Sequence, residues 1–176
     1  MIQAPNHTTD RPVSWPHAMT DFKPPYALLA FSLTKVMHGL NNRRDIWNRI
    51  ASKVSSWQLK GFGSWRVDLC QTGEFIGQIG VNQPGHPSAL EVGWVFLATV
   101  KEKGFVHRAD KTVLHWVQNS LKPATLVSYI LLQNHWSIAL AQHLAAAHNS
   151  HAEIPRSKII NQTNVYRQTK GTVPWR

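Results

Sequence analysis

Lys101-Glu102-Lys103-Gly104-Phe105-Val106 stands between a strand-like run, Glu91 to Leu97, and a helical stripe that begins at Phe105. A glycine that opens a helix after a strand offers unpaired backbone N–H groups and the positive end of the helix dipole, so such a junction can hold an anion. Lys101 and Lys103 add positive charge to it. The same pattern also serves as a plain turn in many proteins, and it therefore names a chemistry without naming a ligand. Ten histidines raise metal binding as a second chemistry. His107, His115, His143, His148 and His151 are scattered, with no helical His-x-x-x-His pair beside an acid, so no metal site is expected. Cys70 is the single cysteine, which excludes an intramolecular disulfide and a cysteine zinc cluster.

The elements that must position these residues are read from periodicity. Between Arg43 and Leu59 the apolar residues Ile46, Trp47, Ile50, Ala51, Val54 and Trp57 recur at three- and four-residue intervals, which predicts an amphipathic helix. Trp65, Val67 and Leu69 alternate with Arg66 and Asp68. A turn at Gln71 to Glu74 then leads into Phe75 to Val81, which predicts a hairpin. After a loop from Asn82 to Ser88, Glu91 to Leu97 reads as a third strand whose interior Gly93 marks a bulge or a close backbone approach. The stripe Phe105, Ala109, Val113, Trp116 and Val117 predicts a helix ending near Leu121 and Pro123. Thr125 to Leu132 is apolar enough to be buried on both faces. A further helix is expected over about Ser137 to Ala147, with Ile138, Ala141, Leu144 and Ala145 on one side and Asn134 as cap. Arg11 to Trp15, interrupted by Pro12 and Pro16, reads as a short strand, Thr20 or Asp21 caps a helix near Pro24, and Val165-Tyr166 reads as a last strand. Trp47, Trp57, Trp94 and Trp116 fall on apolar stripes and are expected in the core. Trp65 and Trp136 are candidates for the border of a cleft.

At 176 residues, with 43% hydrophobic residues and eight Trp, the chain is expected to fold as one globular domain spanning residues 1–176. Its net charge of +10 attracts polyanions or a phosphorylated cofactor, but the cations are spread rather than clustered, so nucleic acid is the less favoured partner. The first thirty residues carry neither a secretory pattern nor a bilayer-spanning run, and with the lone cysteine this sets the expectation of a soluble cytoplasmic protein without membrane association.

Five pieces occur in order along almost the whole chain. They are Arg11 to His17 with Asp21-Phe22, Trp57 to Trp65, Gly73 to Gly80, Glu91-Val92-Gly93-Trp94, and Asn134 with Ser137. Together they resemble the GNAT superfamily of acetyl-CoA-dependent acyltransferases, in the branch similar to ribosomal-protein N-terminal acetyltransferases. The resemblance implies an α+β fold, an α/β/α sandwich with a mixed, mostly antiparallel central sheet and a splayed pair of parallel strands. It implies an N-acetyltransferase that moves an acetyl group from acetyl-CoA to a primary amine in a ternary complex, the acceptor being a small molecule or a protein N-terminus. Relatives are often homodimers. In such enzymes the pantetheine arm lies along the fourth strand, here Val95, Phe96 and Leu97. The pyrophosphate sits on backbone amides of Lys103, Gly104, Phe105 and Val106, with Lys101 as a further phosphate partner. Asn134 is the implied side-chain contact to the cofactor, and Ser137 faces the thioester or sulfur. The attacking amine must lose a proton, and Glu91, beside apolar Val92 and Trp94, is the candidate base; Ser137 is the candidate donor to the departing thiolate.

The chain also departs from the family's pattern. Glu102 stands where another glycine is frequent, Val106 ends the phosphate loop in place of Gly or Ala, and His107-Arg108 replace a small polar residue and an acid. Ala145-Ala146 replace a Leu-Gly ending of the last helix, and that helix carries no tyrosine. The alternative function is accordingly a CoA-binding or interaction module of the same fold with impaired catalysis.

Overall fold

The computed structural model describes residues 5–8, 12–16, 43–83, 89–100, 104–152, 154 and 162–168. Arg11, the helix expected near Pro24, most of the loop before Ala89, and Lys101, Glu102 and Lys103 lie outside them. The chain forms two compact units, Met1–Gly80 with Trp94–Ala109, and Val81–Gly93 with Asp110–Arg176.

The first unit contains β1 (His7–Thr8), β2 (Pro12–Pro16), α1 (Arg43–Lys60), β3 (Ser64–Leu69), most of β4 (Phe75–Asn82) and the end of β5 (Ala89–Phe96). Its strands follow the order β1-β2-β3-β4-β5, and the first three pairings are antiparallel. Pro12 and Pro16 do not interrupt β2. They are its first and last residues, opposite Leu69 and Trp65, where a missing N–H costs least. The expected hairpin of β3 and β4 forms, with a bulge between Val67 and Asp68.

Ile50 and Trp57 bury the inner face of α1, as its stripe predicts. Trp47 does not join them and is 45% exposed. It lies just past the first turn, about 60° around the helix from Ile50, at the margin of the stripe. Trp65, expected at the border of a cleft, is fully buried instead. Its ring stands edge-on to Trp57 with centroids 4.7 Å apart. Its Nε1–H donates to the Pro5 carbonyl at 2.8 Å, which satisfies the one polar group that such burial would strand. Trp94 and Trp116 are half-buried, outside the core proper.

The second unit contains the start of β5, most of α2 (Phe105–Trp116), β6 (Thr125–Leu131), α3 (His135–His143), β7 (Ala147–His148) and β8 (Thr163–Gln168). The strand order is β5-β6-β8-β7. β5 and β6 run parallel, and β8 pairs antiparallel with β6 and β7. The architecture is thus α+β, with mostly antiparallel pairing and one parallel pair. Leu126, Val127, Ser128 and Ile130 are buried and Tyr129 is half-buried, in line with a strand covered on both faces. The buried side of α2 is Val106, Ala109, Asp110, Val113, Leu114 and Val117, so Phe105 and Trp116 stand at its edge, half-buried. A wider helical turn, Val117–Leu121, follows and closes where Lys122, with φ of 47°, donates its N–H to the Val117 carbonyl.

α3 is shorter than its apolar pattern predicts. It ends at His143 because Ala145 adopts φ of 59° and turns the chain, which leaves Ala145 exposed while Ser137, Leu140, Ala141 and Leu144 are buried. No helix among the described residues is long and apolar enough to cross a membrane.

Candidate functional site

The second unit places the polar side chains singled out above. Parallel register between β5 and β6 covers Ala89↔Thr125, Leu90↔Leu126 and Glu91↔Val127, while β5 itself runs on to Phe96. Just beyond the last registered pair, the buried Ser128 hydroxyl donates to the Val92 carbonyl at 2.8 Å. A side chain therefore takes over from the ladder where the two strands stop sharing backbone bonds. Glu91 is half-buried at that point. Gly93, two residues on and hence on the same face of β5, would project a Cβ with nothing within 4 Å among the described residues. The close approach expected at Gly93 is absent there, and the glycine instead leaves room next to Glu91.

β6 then runs to Leu131 and delivers Asn134, whose Oδ1 accepts the Ser137 N–H at 3.1 Å. Asn134 is thus the N-cap of α3. The cap uses the side-chain oxygen and leaves the amide NH₂ as a donor. Ser137 is buried, at 7% exposure.

The first unit holds the backbone segment expected to take the cofactor. Leu97 N–H donates to the Ile76 carbonyl at 2.9 Å, so that group is spent on β4. By strand alternation Val95 turns its backbone groups the same way, and Phe96 turns its N–H and C=O to the opposite edge. Of the three expected residues, Phe96 is the one whose backbone is aimed away from β4. Its side chain is anchored by a glycine: a Cβ on Gly77 would collide with the Phe96 ring and the Val95 carbonyl. The close backbone approach in this region thus belongs to Gly77, not Gly93.

Gly104, exposed and with φ of 72°, immediately precedes α2. That left-handed conformation is cheap only for glycine. The first turn of α2 holds no acidic residue, so within that turn nothing opposes the positive end of the helix dipole. Val106 is 2% exposed. The bulk that sets it apart from the family's Gly or Ala is therefore turned into the core, away from the helix terminus. The flanking Lys101 and Lys103 lie outside the described residues.

Three charged or polar residues were not anticipated. Asp110 is fully buried, and neither of its carboxylate oxygens has a hydrogen-bond partner among the described residues. Burial pushes its carboxyl well above the ordinary carboxylate range. The visible signal was an acid adjoining the apolar stripe of α2. Arg167 on β8 has its Nε buried without a partner among the described residues, and Ser128 is a buried hydroxyl within a largely apolar run. No group of three or more His, Cys, Asp or Glu among the described residues could hold a metal ion.

A family model of the acetyltransferase (GNAT) domain matches residues 17–146. No curated protein matches the sequence. Among solved structures, an acetyltransferase from Agrobacterium tumefaciens is 27% identical, with a TM-score of 0.81 over 96% of each chain. A ribosomal-protein-S5-alanine acetyltransferase from Vibrio fischeri superposes with a TM-score of 0.78 at 11% identity, over 97% of this chain and 100% of the other. A microcin C7 self immunity acetyltransferase, solved in complex with acetyl-CoA and AMP, has a TM-score of 0.71 at 17% identity, over 91% and 93%.

Proposed function

The chain belongs to the GNAT acetyltransferase family, and from that premise we propose that it transfers the acetyl group of acetyl-CoA to a primary amine by direct attack in a ternary complex. The observation that carries this reading is the end of register after Glu91↔Val127, with a carboxylate at that point and free space beyond Gly93 on the same face. A thioester and an amine need such a place, with an acceptor of protons beside it.

In this reading the pantetheine arm of acetyl-CoA bonds to the outward backbone of Phe96, in the stretch Val95 to Leu97. The pyrophosphate lies on the N–H groups of Gly104, Phe105 and Val106, with Lys101 and Lys103 as flanking cations. The carboxylate-free first turn of α2 and the inward Val106 side chain fit that use. The Asn134 amide NH₂, left over from the cap, donates to the cofactor. Glu91 takes the proton of the acceptor amine, directly or through water, and the neutral nitrogen attacks the thioester carbonyl. Collapse of the tetrahedral adduct expels the CoA thiolate, which takes a proton from Ser137, while the surplus proton on the adduct nitrogen passes to the Ser137 oxygen and leaves the neutral amide. The acceptor is a small amine or a protein N-terminus, and the chain works in the cytoplasm.

Thermal unfolding with and without acetyl-CoA, in salt-matched buffer, tests the first half. A ligand at about 100 times its Kd stabilises the native state by roughly 2.7 kcal/mol, which for a chain this size raises Tm by roughly 5–10 °C. No rise at saturating acetyl-CoA would contradict the reading. Release of free thiol on a panel of amines tests the second half and separates an enzyme from a module that only binds CoA. Glu91→Gln should lower kcat by roughly 10²-fold or more while keeping the acetyl-CoA shift; full activity in that variant would remove Glu91 from the mechanism.

A further inference from the structure

Resting on the acetyl-transfer reading above, we propose that Arg167 recognises an anionic group on the acceptor, so that the preferred substrates are primary amines carrying a carboxylate or phosphate close to the amino group. Three registers set the geometry: Glu91 is paired with Val127, Val127 with Arg167, and Arg167 with Ala147. Residues in register across neighbouring strands share a face of the sheet. Glu91, Val127, Arg167 and Ala147 therefore form one transverse row, all within the second unit. The Cα atoms of Glu91 and Arg167 stand roughly 9.5 Å apart, two inter-strand spacings, with the buried Val127 as an apolar floor between them.

The row's two apolar members cannot satisfy a guanidinium, and the Arg167 Nε is buried with no hydrogen-bond partner among the described residues. The next residue, Gln168, points to the other face, where its Nε2 donates to the Leu144 carbonyl at the end of α3 at 3.5 Å. Arg167 is thus on the face that α3 does not take. A buried guanidinium N–H left unbonded is costly, and a planar anion that accepts from the fork relieves that cost with charge-assisted bonds. With Glu91 as proton acceptor at the other end of the row, the pair reads an ammonium and an anion on one small molecule or one N-terminal segment.

The test uses the full chain and four amines in two matched pairs, β-alanine against β-alaninamide and phosphoethanolamine against ethanolamine, at saturating acetyl-CoA. Wild type should favour the anionic member of at least one pair by about tenfold or more in kcat/KM, and the pair that responds tells carboxylate from phosphate. In Arg167→Gln that preference should fall to near one, mainly through KM, while Arg167→Lys should keep part of it, since an ammonium retains charge but not the fork. If Arg167→Gln does not fold, a several-fold weaker preference in Arg167→Lys carries the same conclusion. An equal preference in wild type and variants, or a wild-type preference for the neutral amines, overturns the proposal. Should none of the four be acetylated, thermal shifts by β-alanine and phosphoethanolamine on the CoA-saturated protein decide it: a shift lost in the variant supports it, and no shift overturns it. The shift by acetyl-CoA alone reports separately on the underlying reading.

Discussion

Asp110 offers the sharpest stability prediction. Its side chain is fully buried on α2 and neither oxygen has a partner among the described residues, so the charged form is strongly disfavoured in the native state. Burial raises the folded pKa above the unfolded value of about 3.9. Below that value the acid is protonated in both states and the native fold loses little. As pH rises from about 4 toward the raised folded pKa, the unfolded chain releases its proton first, and stability falls by about 1.4 kcal/mol per pH unit until the folded carboxyl ionises as well. Asp110→Asn removes this titration without changing the shape of the side chain. At pH 7 the variant should be the more stable, because wild type alone loses stability as its unfolded chain ionises, and each pH unit of that interval corresponds to about 1.4 kcal/mol, or roughly 3–6 °C in Tm. Near pH 4 the two proteins should unfold within a degree or so of each other. Melting curves across pH 4–8 check this; parallel pH profiles for both proteins, or a less stable variant at pH 7, would refute the reasoning.

Other expectations follow from single contacts. Asn134→Asp should preserve the cap of α3, and hence Tm, but replace the amide donor with an acceptor, so acetyl-CoA affinity in a calorimetric titration should drop by about tenfold. Asn134→Ala should lower both, with a stability loss of about 1 kcal/mol. Gly93→Leu fills the space beside Glu91, and steady-state assays should show a loss of tenfold or more in turnover with Tm held, on the order expected of a steric block in a positioned site. Ala145→Gly relieves a left-handed conformation that costs an L-residue about 1–2 kcal/mol, and after the added chain entropy of glycine the net gain in denaturant unfolding should be about 0.5–1 kcal/mol.

Elements with a long or strict period were legible in the sequence: the stripe of α1 converged on Ile50 and Trp57, and the alternation through Trp65 and Val67 gave the hairpin. The cap at Asn134 was legible too, because capping is local chemistry. What a residue meets across the fold was less so. Trp47 and Trp65 traded their expected places, since periodicity assigns a face but not how far the neighbouring elements extend over it. Gly77 and Gly93 are both strand glycines, and only the packing of Phe96 tells which one is tight. The row from Glu91 to Arg167 depends on two registers between segments remote in sequence, and nothing local encodes it. The parting of β5 from β6 entered through family resemblance, and the bond from Ser128 to Val92 that marks it has no sequence signature beyond a serine in a largely apolar run.

The most direct measurement of the central claim is transfer itself. The full chain is incubated with acetyl-CoA labelled in the acetyl group and a mixture of small amines and short peptides with free N-termini, and the products are read by mass spectrometry. The predicted result is a labelled N-acetyl product formed in step with free CoA, at a rate at least about 10²-fold higher than with Glu91→Gln. Acetyl-CoA that binds and survives, with no labelled amine above the protein-free control, would contradict it.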